Sequence, residues 1–140
     1  MKPRKIVKNS RPPRGFYKRS DHALFDHQII KDSISRLIDA GVATRTELMG
    51  ITVRWGPEHP EHREWIAYCY LGQREIILTH KMYRMPDWAI DTILWHEYAH
   101  ALSLGSHRTW RFMKMKRRRR WQWLQEYVVL FLYLFGIYDI

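Results

Sequence analysis

The chain of 140 residues has one cysteine, Cys69, which excludes an internal disulfide and any metal site built of cysteines alone. Cys69 lies in the apolar run IAYCYL and reads as a small buried hydrophobe, not a nucleophile. The opening MKPRKIVKNSRPPRGFYKRS lacks the apolar segment of a secretory signal. Pro3, Pro12 and Pro13 also spoil the amphipathic helix of a transit peptide. We therefore expect an intracellular protein, cytoplasmic or nuclear (nucleoid), and not a secreted one. The longest apolar run, VVLFLYLFGIY, covers only residues 128–138, whereas a spanning helix needs about 20 apolar residues. No internal repeat is present.

Acidic residues are missing from two stretches. Residues 1–20 carry eight Lys or Arg and no acid, and residues 108–120 carry eight more, again with no acid. The segment between them is net acidic, so the charge of +10 belongs to two segments and not to the body of the chain. Clustered cations favour a polyanion partner, either nucleic acid or an anionic membrane.

What is present reads as helix, sheet, helix, helix. ALFDHQIIKDSISRLIDAG spaces Leu24, Ile30, Ile34 and Leu37 at helical intervals, with Ser20 or Asp21 as cap and Gly41 as stop. ITVRW (51–55), EWIAYCYLG (64–72) and REIILT (74–79) read as strands, with a tight turn at Gly72-Gln73. The intervening GPEHPEHR reads as a solvated loop whose Glu–His pairs are not a second metal site. MPDWAIDTILWHEYAHALSLG is a long helix with Pro86 in its first turn and Gly105 at its end, and Ser106 caps a further helix. The expectation is a single α+β domain: an N-terminal helix, a three-stranded antiparallel meander, the HEYAH helix and one more helix. Residues 1–20 form a basic flexible arm, 21–120 the domain, and 121–140 an apolar C-terminal helix or tail.

HEYAH fits H-E-x-x-H, a pattern that means zinc when it lies on a helix. Residues four apart on a helix point the same way, so His96 and His100 offer two imidazoles to one ion. Glu97 lies one position round, placed to take a proton from water and not to ligate. A catalytic zinc takes three protein ligands and keeps one position open. His107, after the Gly105-Ser106 break, is the preferred third ligand, and Glu126 is the other candidate. Tyr83 and Arg108 are candidate donors to an oxyanion.

At these residues the chain resembles the SprT-like (Spartan-type) zinc metallopeptidases, over roughly residues 24–115. REIILTHKMYRMPDWAIDTILWHEYAHAL looks like that family's strand, loop, proline and HExxH helix, and SHRTWRFMK like its third-ligand segment. The resemblance implies a zincin-like minimal protease domain with one Zn2+ on His96, His100 and His107, and Glu97 as general base. It also implies that the strand Glu75, Ile76, Ile77, Leu78, Thr79 borders the cleft as an edge and pairs with an extended substrate. The sequence departs from the family at Thr79, where asparagine is common, and at Arg108, where glycine is. No cysteine-rich ribbon follows.

The expected function is a zinc-dependent endopeptidase, acting on protein substrates that include nucleic-acid-associated proteins, and working as a monomer. Lys114, Lys116, Arg117, Arg118, Arg119 and Arg120, with Trp121 and Trp123, are the candidate nucleic-acid contacts, independent of base sequence. The alternatives are a non-catalytic, zinc-stabilised nucleic-acid-binding protein and a membrane-peripheral metalloprotease anchored by its tail. For residues 128–138 a helix packed into the core is the preferred reading.

Overall fold

The computed structural model describes residues 19–83, 85–104 and 109–134; most of the basic arm lies outside them. The helical spacing after the arm becomes α1 (Arg19–Asp39), which buries Ile30, Ser33 and Leu37 on one stripe. Gly41, at φ +76°, ends it as expected. The turn donates Val42 N–H to Leu37 O and Gly41 N–H to Ile38 O, both at 3.0 Å, which satisfies carbonyls the helix end would orphan. A short helix α2 (Arg45–Met49) follows that the hydrophobic pattern did not reveal. Its signal was local: Thr44 and Glu47 form a reciprocal capping box.

Three strands follow, β1 (Thr52–Trp55), β2 (Ala67–Tyr70) and β3 (Glu75–Leu78). They do not form the expected antiparallel meander. The order is β1-β3-β2, with β3 parallel to β1 and antiparallel to β2, so the sheet is mixed. The 56–66 segment carries the chain past the place β3 will occupy, which leaves the centre for the last strand. Gly56 permits that path, because a Cβ there would stand 2.7 Å from Ile77 Cγ2. Period-2 alternation sets which face a side chain takes, not which strand is the neighbour. One face presents Val53, Trp55, Ala67, Cys69, Ile76 and Leu78 to the core. An ion pair of 2.6 Å between Arg54 and Glu75 joins β1 to β3.

The core is completed by α3 (Asp87–Ser103), which begins after Pro86 and stops where Leu104 turns left-handed at φ 53°. Buried Asp91 accepts from Ser33 Oγ at 2.5 Å and from Arg36 Nε and Nη2 at 2.8 Å, locking α3 to α1. Next comes α4 (Trp110–Lys116), capped by Thr109, whose hydroxyl accepts from Phe112 N–H; Ser106, the expected cap, lies outside the described residues. The last helix is α5 (Gln122–Leu134). The architecture is α+β, with five α-helices and one three-stranded mixed sheet among the described residues.

The tail corrects a second expectation. Instead of turning its apolar side to the core, α5 buries Gln122 and Val129 and half-buries Gln125 and Glu126. Trp123, Leu124, Tyr127, Val128, Leu130 and Phe131 face outward. No helix of the described residues is long and apolar enough to cross a membrane.

Candidate metal centre

HEYAH lies on α3, as its spacing requires, in the part of the helix enclosed by the sheet, α4 and α5. One helical turn separates His96 from His100, and their ring centroids stand 4.9 Å apart, edge to face. Phe112, fully buried on α4, stacks on His100 at 4.1 Å and meets His96 edge-on at 5.3 Å. It thereby walls the imidazole pair. Its role could not be read beforehand, because packing between two helices is not written in the sequence of either one.

Glu97 is buried, with 8% of its surface exposed. Burial raises its carboxyl to about 7; nearby His96 pulls the other way and the Glu126 charge adds to the rise. Cys69 on β2 confirms that the sheet stands close: burial first, and then the Glu97 charge, push its thiol up to about 12. At that value it is no nucleophile, as its apolar run implied.

Glu126 reaches this site from the inward face of α5. Its Oε2 lies 3.0 Å from His96 Nδ1 and accepts from Gln122 Nε2 at 2.8 Å, while Oε1 accepts from Lys116 Nζ at 2.6 Å. Burial works against its charge, yet hydrogen bonds led by the one with His96 hold it down at about 2. A carboxylate oxygen accepts, so His96 Nδ1–H is the donor, and Nε2 is the ring nitrogen left for an ion. A carboxylate that fixes a histidine tautomer in this way is the usual outer partner of a metal-ligating imidazole. Glu126 was foreseen only as an alternative ligand. Its real signal was Gln122, Gln125 and Glu126 recurring at helical spacing inside an apolar run.

His107, the preferred third ligand, lies outside the described residues, as does Arg108. Among the described residues no group of three or more His, Cys, Asp or Glu is placed to hold a metal ion. The donor chemistry present still suits zinc: two imidazoles on one helix face, one of them oriented by a carboxylate, beside a second carboxylate that is buried.

Two further site expectations change. The strand Glu75–Leu78 is the middle of the sheet, with both of its sides paired, so it does not offer an edge to a substrate. The strand beside Glu97 that ends the sheet is β2. Tyr83 packs in the core at 4.8 Å from Trp55 and is 2% exposed, which removes it as a donor in a solvent-facing cleft.

The six candidate nucleic-acid contacts divide. Lys116 is held by Glu126, and Arg119 turns inward to Thr92 Oγ1 at 3.0 Å and Gln122 Oε1 at 2.7 Å. Arg118 pairs with Glu47 at 2.9 Å. Lys114, Arg117 and Arg120 remain at the surface, with Trp121 and Trp123 also exposed. Lys114, Arg117 and Arg118 line a groove of about 510 Å³ together with Trp110 and Arg111. On the far side of the sheet, the loop expected to be solvated is partly ordered by ring contacts: His62 stacks on Trp65 at 4.1 Å, and His59 meets Trp65 at a tilt at 4.8 Å.

No protein-family model, no curated protein and no solved structure matches the chain.

Proposed function

We propose that the protein is a zinc-dependent endopeptidase of zincin-like, SprT-like type. The observation that carries this reading is the cluster on α3, where His96 and His100 share one face, Glu97 is buried beside them and Glu126 orients the His96 ring. His96 and His100 would hold the ion, with His107 as third ligand. Zinc, when bound, acidifies a water and polarises a carbonyl.

The chain's own residues do the rest. Glu97 accepts a proton on its carboxylate and delivers it to the nitrogen of the leaving amine. Burial keeps competing water from that carboxylate. Glu126, through His96 Nδ1, is a positioning residue. Phe112 restricts both rings to one arrangement. An extended substrate adds to β2, the end strand beside Glu97, by main-chain hydrogen bonds. Lys114, Arg117 and Arg120 supply cations for a polyanion on or near the substrate.

Metal analysis of the purified full chain, joined to a casein or self-cleavage assay with and without single-stranded DNA, tests this reading. Near-stoichiometric zinc and proteolysis that Glu97→Gln abolishes are expected. Protein purified without zinc, and inactive after zinc is added, removes it.

A further inference from the structure

We propose that α5 is an in-plane docking helix for an anionic lipid surface. The ground for this is that α5 is inverted relative to an ordinary surface helix. Its polar residues Gln122 and Glu126 face inward, held to the Thr92 carbonyl and to Lys116. Leu124, Tyr127, Leu130 and Phe131 are 41%, 68%, 52% and 56% exposed. The inward hydrogen bonds prevent the helix from rolling to bury them, because rotation would strand Gln122 and Glu126. Leu124, Tyr127 and Leu130 are thus held at the surface, and such a patch marks a site of association.

Charge selects the occupant. Lys114, Arg117 and Arg120 stand exposed ahead of the helix along the chain, and Trp121 and Trp123 are exposed where it begins. An exposed apolar helix face with cations close by in the chain matches a bilayer with anionic headgroups, where apolar burial and charge attraction act together. The arm at residues 1–20 has eight Lys or Arg and no acid, so the basic turn repels it. A second copy brings the same net charge of +10. A nucleic acid matches the cations but gives Leu124, Leu130 and Phe131 nothing apolar to cover them. A bilayer satisfies both sets. This inference does not depend on the metal centre.

Flotation of the full chain with vesicles decides it. Vesicles of phosphatidylcholine with about one-third phosphatidylserine should carry the protein at least about tenfold better than pure phosphatidylcholine, as a few cations near an anionic surface imply. Brominated acyl chains should quench the tryptophan fluorescence of the wild type, a readout that needs no variant. Leu124→Ser with Phe131→Ser should lower binding about tenfold or more, with the thermal midpoint unchanged. The idea is overturned by no flotation on anionic vesicles, or by flotation that the apolar substitutions leave intact. It is equally overturned if those substitutions instead dissolve a dimer seen by light scattering, or abolish capture of single-stranded DNA by a chain that ignores vesicles.

Discussion

α3 and α5 pack against each other and solve opposite problems. Twelve of the seventeen residues of α3 are buried, including the polar Asp91, Thr92 and Glu97. α5 keeps its polar residues inside, with Val129, and most of its large apolar ones outside. The difference follows from what each helix must satisfy. The polar groups of α3 are met by neighbours on α1, on α5 and in the turn before α5, Asp91 by Ser33 and Arg36, and Thr92 by Arg119 and Gln122. An unmet buried hydrogen-bonding group costs about 1–3 kcal/mol, comparable to burying one aliphatic side chain. Polar groups facing α3 therefore compete on equal terms with hydrophobicity for the inward face of α5.

The largest expected effect concerns α3. Glu97→Gln should reduce peptidase turnover by about 10²–10⁴, the usual contribution of a general base, while zinc content measured by metal analysis stays unchanged. Next, Leu94→Ala on α3 should cost about 2–5 kcal/mol in urea denaturation, since Leu94 is fully buried. Leu130→Ser on α5 should stay within about 0.5 kcal/mol. Equal costs would erase the contrast between the helices.

Glu126→Gln tests the inner face of α5. It should weaken zinc binding about 10–100-fold in a competition titration, with Glu97 still in place. A smaller effect belongs to the tether that holds the turn before α5 to α2. Glu47 is held below its ordinary value of 4.5, first by the Thr44 backbone N–H and then by Arg118, against the effect of burial. Because its folded pKa is depressed, this stabilisation is complete above about 4.5 and drains as pH falls below it. Glu47→Gln should flatten the acid limb of a melting-temperature profile. Thr44→Ala should cost about 1 kcal/mol by removing the cap.

Much of the fold was legible where short-range rules act. The helical spacing of α1 and α3, the Gly41 stop and the three strand segments all follow from periods of 3.6 and 2. The placing of His96, Glu97 and His100 together needed only that HEYAH be helical. α2 was legible through Thr44-x-x-Glu47 but passed over, because five residues carry too little apolar periodicity. Strand order was not legible. Parallel pairing of β1 with β3 depends on where the 56–66 segment crosses, a non-local choice that alternation does not encode. That choice put β3 in the middle of the sheet and left β2 as the end strand beside Glu97.

The sequence by itself determined the motif chemistry: two imidazoles four residues apart with a carboxylate between them, and cations gathered into two stretches. Only the tertiary structure decided that Phe112 clasps both rings, that Glu126 orients His96, and that Lys116 and Arg119 turn inward while Lys114, Arg117 and Arg120 stay out. The physical reason is range. Helix periodicity is settled by bonds three and four residues apart, whereas the inward face of a helix is settled by whichever neighbour can satisfy its polar groups.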